Sequence, residues 1–267
     1  TPAAVEEAVG GSRDTPFPLL RFTERPDKFA QALLDGQAGL FVDGLPLGYL
    51  APVDLASFLT SPEDQAVDFV TASCIRVIRY AALLASLLLP GLYVAMAVFH
   101  QEMLPTKLLL SIIESKQQVP FPTLWEVLGL LLAFEILQEA GAHLPQSLGQ
   151  AVSIIGGLVV GTAAVEAKIV SPAVLIAVAA AGICGYVIPG RALANAVRVW
   201  RFVLAVCAGL AGLFGLTAGL IALLLHLGGL ATFGLGYLRP FDRAATAGVV
   251  LRRRIPSEAQ RRAKGPN

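Results

Sequence analysis

Long uncharged runs separated by short polar seams dominate this chain after its first quarter. Tyr80 to Phe99, YAALLASLLLPGLYVAMAVF, has twenty residues and no charge. At about 1.5 Å rise per residue such a helix crosses a hydrocarbon core of roughly 30 Å. Pro90 in its middle removes a backbone donor and predicts a kink. In HQEMLPTKLLLSIIESKQQVPFP the run KLLLSII is too short to cross, so the segment reads as an interfacial or re-entrant helix. Thr123 to Gly141 is a second span, opened by Trp125 at the interface. Ala151 to Val165 is short and glycine-rich, Ser171 to Pro189 has crossing length, and Phe202 to Leu225 is the longest run and uncharged.

The opening residues follow a different rhythm. Residues 1–21 form a lead, small and polar at first, expected to be disordered. RPDKFAQALLDG reads as a helix with Pro26 in its first turn, Asp27 as N-cap and Gly36 as its stop. Phe29, Ala32 and Leu33 share one face. QAGLFVDGLPLGYLAP reads as two short strands around the turn DGLP. PVDLASFLTSPEDQ predicts a short helix ending before Ser61-Pro62. So small a piece is too little for a comfortable core of its own, and residues 22–66 are expected to be the end of a small cytoplasmic α+β domain. The membrane domain is placed at 67–238 and a basic cytoplasmic tail at 239–267.

Composition sharpens this picture. The chain has 267 residues, 55% hydrophobic and 15% charged, with a mean hydropathy of +0.69. Soluble domains carry about a quarter charged residues, so the fold class is mainly α, a polytopic helical membrane domain of four to six crossings or re-entrant segments. A net charge of +1 gives no basic field for nucleic acid. Cys74, Cys184 and Cys207 are far apart, lack metal-ligand spacing and read as reduced packing residues. Charge also sets an unresolved topology. Arg76 and Arg79 precede the first span and place its start in the cytoplasm. Arg191, Arg198 and Arg201 precede the last run, and Arg239, Arg243 and Arg252-Arg253-Arg254 follow it. One helix cannot keep both flanks on one side: either 202–237 folds as a hairpin around its glycines, or the tail is on the far side. The cytoplasmic tail is the preferred reading.

No catalytic constellation is legible: no Walker loop, no helical His-Glu metal pair, no Ser-His-Asp set. An enzyme is not expected, and neither a cofactor nor a metal.

Four longer motifs carry a resemblance. VDGLPLGYLAPVDLASFLTSPEDQ, LLLPGLYVAMAVFHQEMLPTKLLLSI, VPFPTLWEVLGLLLAFEILQEAGAHLPQSLGQAVSIIGGLVVGTAAVEAKIVSPAV and TFGLGYLRPF, in that order, resemble the GerA family of spore germination proteins. The comparison is with its A-type germinant-receptor subunits or the related stage V sporulation AF branch. The resemblance covers about Phe22 to Asp242. It implies a multi-pass protein of the spore inner membrane and a homo-oligomer around an ion-conducting pore. The implied partners are a transporter-like B subunit that binds the nutrient, a lipoprotein C subunit and membrane lipid. The chain departs from the pattern in lacking most of the family's N-terminal domain and in having Val203 where many relatives have proline.

Within that frame the polar residues of the apolar runs become candidates. Glu135 and Glu139, four apart, lie within about 40° on one helix face; Glu126, nine before Glu135, is on the opposite face. A charge at the bilayer centre costs roughly 2.5–3.5 kcal/mol, so Glu135 is expected to face protein or water. One reading is a cation-attracting ring in a pore; the other is a carboxylate bonded to a neighbouring helix. Gln150 and Glu102 complete the candidate polar set, Glu102 within a His100-Gln101-Glu102 helix end. Gly157 and Gly161, and Gly215 and Gly219, have the small-xxx-small spacing of close helix contacts. A non-conducting scaffold, a stage V AF-like accessory channel and an ion-coupled transporter stay open as alternatives.

Overall fold

The computed structural model describes Val5 and residues 15–34, 36–61, 64, 67–142, 156–157 and 159–238. The expectations for Gln150, for most of the lead and for the basic tail lie outside those residues. The described residues divide into two compact units: those of Leu19–Tyr80 with 230–238, and those of Ala81–Gly229 with 15–18.

The first unit is a small α/β layer. Strands β1 (Arg21–Thr23), β2 (Ala38–Phe41) and β3 (Gly48–Ala51) form an antiparallel sheet in the order β1-β3-β2, with Arg21 opposite Leu50 and Phe41 opposite Gly48. Helix α1 (Pro26–Leu34) covers it. Pro26 occupies the helix start, where its missing N–H costs nothing. Asp27 is not the cap: it lies in the first turn and takes the Arg25 guanidinium at 2.6 Å. Gly36, at φ +88°, closes the helix through its N–H to the Leu33 carbonyl at 3.0 Å. A β-carbon at Gly48 would come within 2.6 Å of the Phe29 ring, so the sheet can approach α1 only where side chains are absent. Tyr49, Leu20 and Ala51 form the core of the sheet. Leu19 and Leu20 are buried and Arg21 opens a strand, so the expected disordered lead is too long at its end.

Helix α2 (Leu55–Leu59) is capped by Asp54, whose carboxylate accepts the Ser57 N–H at 2.8 Å. Its first N–H donates to the Tyr237 carbonyl, and Phe58 packs on the Tyr237 ring. Strands β4 (Ala231–Thr232) and β5 (Leu235–Gly236) form a hairpin beside it. Asp64 is the charged centre of this unit. It is 2% exposed and receives Arg79 at 2.8 Å and Arg76 at 3.2 Å, while Arg79 also donates to the Leu59 carbonyl. Burial alone would raise the Asp64 carboxyl, but the donors from Arg79, the Ser61 N–H and Arg76 outweigh it and hold it below the ordinary aspartate value.

Helix α3 (Phe69–Val98) contains both arginines and continues as the first apolar helix, running through Pro90 and starting well before the expected Tyr80. Among the described residues two helices are long and apolar enough to cross a membrane: α3 and the last one, α7 (Arg191–Gly229). Between them stand α4 (Thr106–Lys116), in which no residue is buried, α5 (Thr123–Ala142), a helical stretch at 159–166, and α6 (Pro172–Tyr186). The buried face of α6 is Val174, Val178, Ala181 and Gly182, the spacing of one helix stripe.

The thirty-nine residues of α7 are not one rod. The helix breaks at Ala211 (φ −138°, ψ 21°) and Gly212 (φ 61°, ψ −140°), the latter in a region open only to glycine. The halves then fold back on each other. Gly215 meets the Cys207 carbonyl, a β-carbon at Gly219 would lie 2.8 Å from Leu204, and the Trp200 and His226 rings stand 5.9 Å apart. Thr15 reaches His226 at 2.9 Å at the open end. The chain therefore enters and leaves α7 at the same end. That removes the topological conflict of a single crossing between two positive flanks. At the turn, a β-carbon on Gly212 would touch Phe99 at 2.8 Å and His100 at 3.0 Å, so the tip of the hairpin lies beside the C-terminal end of α3.

Candidate functional site

Helix α5 carries the acids that composition makes conspicuous. It runs antiparallel to the first half of α7: Leu124 packs on Gly209 near the hairpin tip, while Glu135 meets Arg198 and Arg201 further along. The helix places Glu126 and Glu135 on opposite faces, and the structure surrounds them differently.

Glu126 is 3% exposed and fully partnered. One oxygen accepts from the Lys116 ammonium, and the other accepts the Ser171 N–H at 2.8 Å. Lys116 also donates to the Phe121 carbonyl at 2.6 Å. The carboxylate thus ties the end of α4 to α5 and to the start of α6. Burial pushes the Lys116 ammonium below its ordinary value. Beside it a cavity of about 170 Å³ lies between α3 and α4, lined by Tyr93, Gln101, Gln117 and Thr123 among others. Sequence reasoning did not find this junction. The available signal was a lysine ending the amphipathic segment shortly before an acid that opens an apolar helix.

Glu135 is more open, its side chain 23% exposed. Its two oxygens lie 3.7 Å from Arg198 Nη1 and 3.7 Å from Arg201 Nη2. Arg201 itself is 3% exposed. The arrangement is an ion pair across two helices, one carboxylate between two guanidiniums. Close by, Gly185 of α6 is tightly approached: a β-carbon there would stand 3.3 Å from Ser86 Oγ and 4.0 Å from Arg201 Nη2.

Two other expected residues are exposed. Glu139 is exposed one turn further along α5, and Glu102 is exposed in the 3-10 turn Gln101–Met103. Among the described residues no group of three His, Cys, Asp or Glu could hold a metal. The glycines sit at close approaches inside the second unit. A β-carbon at Gly157 would be 2.5 Å from the Phe134 ring and one at Gly161 2.5 Å from Leu175, while Gly215 and Gly219 line the inside of the α7 hairpin.

With the geometry in hand, comparison with known proteins gives a consistent answer. The profile of the Bacillus/Clostridium GerA spore germination protein family matches residues 1–264. Spore germination protein KA of Bacillus subtilis (strain 168) is 42% identical over 245 residues, 92% of this chain and 45% of that protein. The uncharacterized membrane protein YfkQ of the same organism is 40% identical over 251 residues, 93% of this chain and 49% of its own length. Spore germination protein GerIA of Bacillus cereus is 44% identical over 211 residues, 79% of this chain and 32% of that protein. The chain thus spans about half or less of the curated relatives it matches. No solved structure matches.

Proposed function

The chain belongs to the GerA family of spore germination proteins, membrane proteins and not enzymes, and from that premise we propose that it is the membrane-domain part of an A-type subunit of a nutrient germinant receptor. In this reading it sits in the spore inner membrane with four to six crossings or re-entrant segments. The α7 hairpin supplies two of them. Several copies surround a pore that passes ions when nutrient is sensed. A transporter-like B subunit binds the nutrient, and a lipoprotein C subunit completes the complex.

The observation that carries the pore reading is Glu135, a partly open carboxylate on a largely apolar helix, with charged partners on a neighbouring helix. If Glu135 faces the conducting path, its charge favours cations. The test is conductance of the full-length protein in liposomes, with Glu135→Gln beside it. The expected result is cation-preferring conductance, weakened in selectivity or rate by the substitution at normal protein level. Absence of any conductance in the full-length receptor would leave the second reading.

That second reading is a scaffold that holds the B subunit and conducts nothing. One observation favours it: both oxygens of Glu135 already have a guanidinium partner, as a structural ion pair requires. In that case Glu135→Gln lowers stability and leaves every ion flux unchanged.

A further inference from the structure

We propose that the cavity beside Lys116 is a binding site for an uncharged carbonyl group on a short aliphatic chain, carried by an acyl lipid or by a small soluble molecule. The site lies between the end of α3, α4 and the first turn of α5, all within the second unit.

Room comes first. The cavity measures about 170 Å³, far above the roughly 10–15 Å³ that holds one water. Gln101 and Gln117 line it and are exposed, so a ligand can enter from outside. Its apolar walls are Ala97 of α3 and Leu109, Ile112 and Ile113 of α4. Positions 109, 112 and 113 share one helix face. That face is apolar, yet no residue of α4 is buried. The stripe lines the cavity and is not sealed in a packed core.

The polar end supplies donors. Thr123, at the start of α5, lines the cavity and is only 9% exposed. Its hydroxyl makes no hydrogen bond among the described residues. Lys116 lines the cavity too. An ammonium has three N–H groups; in Lys116 one goes to the Phe121 carbonyl at 2.6 Å and one to Glu126. The third is left for a ligand.

The chemistry selects that ligand. A carbonyl oxygen offers two lone pairs, one for the ammonium and one for the hydroxyl. A carboxylate would face Glu126, which already neutralises Lys116, and an ammonium would face Lys116 itself. Like charges at close range repel, so the group is uncharged. The apolar walls take the aliphatic chain attached to it. The site stands apart from Glu135 and does not depend on whether the protein conducts ions.

The test uses the full chain, purified in a neutral detergent, with the thermal unfolding midpoint as the readout. Pentanamide, pentanoate and pentylammonium are titrated first, equal chains that differ in the charge of the head. The midpoint is expected to rise with pentanamide and not with the other two. A diacylglycerol and its dialkyl ether analogue, which lacks only the carbonyls, are titrated next. A larger rise with the ester than with the ether shows that an acyl lipid supplies the group. A rise with pentanamide and an equal response to both lipids assigns the site to a small soluble molecule. Thr123→Val keeps the shape, removes the hydroxyl and is expected to weaken binding of the active probe about tenfold. Ile113→Trp, at a residue 37% exposed, fills the cavity and is expected to abolish binding. The proposal is overturned if a charged probe raises the midpoint as much as pentanamide does, if pentanamide is silent and the two lipids act alike, or if both variants respond like the parent chain.

Discussion

Glu126 and Glu135 lie nine residues apart on one helix and have little else in common. Glu126 is sealed between a lysine of α4 and a backbone N–H at the start of α6. Glu135 stands in a looser, partly open cluster between two arginines of α7. An acid in an apolar run therefore has no single meaning. What separates a fastener from a candidate functional charge is the tightness of its partners and its access to water, and both are set by other helices.

The largest expected effect comes from breaking the tight end. Glu126→Ala leaves the Lys116 ammonium and the Ser171 N–H without their acceptor. Breaking a buried pair by removing one partner costs about 3–5 kcal/mol, and the partial exposure of Lys116 points to the lower end. Membrane abundance and thermal stability should both fall. Adding Lys116→Met should recover part of the loss, because the stranded charge is gone. Equal abundance of Glu126→Ala and the parent chain would erase the contrast with Glu135.

Asp64 extends the comparison outside the membrane, to a buried carboxylate with two guanidiniums that do make hydrogen bonds. Asp64→Asn is expected to cost about 2 kcal/mol by leaving Arg76 and Arg79 undersatisfied. Its pH dependence has a definite sign. The folded-state value is depressed, so the stabilisation is complete above the ordinary aspartate value of about 3.9 and is lost as pH falls through the folded value. Acid titration of unfolding should show that loss in the parent chain and not in Asp64→Asn. Superimposable acid profiles would remove Asp64 as the anchor of α3's first turns.

These contrasts mark where sequence reading succeeds. Pro26 and Gly36 bracket α1, and VDGLPLG announces the β2–β3 hairpin, because turn and cap chemistry is local. Strand β1 was missed, since LLRFT is too short to show alternation. The α7 hairpin was half legible. Arginines on both flanks left two readings, a chain that turns back on its glycines or a tail on the far side, and Gly209, Gly212, Gly215 and Gly219 were all eligible for the turn. Only the clash of a β-carbon with Phe99 and His100, together with φ +61°, singles out Gly212. The partners of Glu126 were illegible: Ser171 is forty-five residues away and contributes a backbone N–H, which every residue has. The partners of Glu135 are as remote, and no period in α5 points to Arg198.

A smaller effect on stability is expected at the looser end. Glu135→Gln keeps the shape of the side chain and removes a charge that stands 3.7 Å from its partners. Its abundance should stay close to that of the parent chain, in clear contrast with Glu126→Gln, which leaves the Lys116 ammonium without its counter-charge. If both glutamine variants reduce abundance equally, Glu135 is a second fastener and the pore reading loses its support.

The smallest effect belongs to Glu139, and it tests whether exposure alone explains the ranking. It lies one turn beyond Glu135 on the same face of α5 and is exposed. Water and salt screen such a charge: the screening length is about 30 Å at 0.01 M and about 3 Å at 1 M ionic strength. Any influence of Glu139→Gln on ion flux through the full-length protein should therefore be visible at low salt and vanish at high salt. The effect of Glu135→Gln should persist, because its surroundings are partly closed to solvent and its partners move with the helices. Measuring both variants across the same salt series compares two carboxylates four residues apart, one partly enclosed and one exposed. Identical salt dependence in the two would mean that enclosure by Arg198 and Arg201 does not distinguish Glu135 from a surface charge.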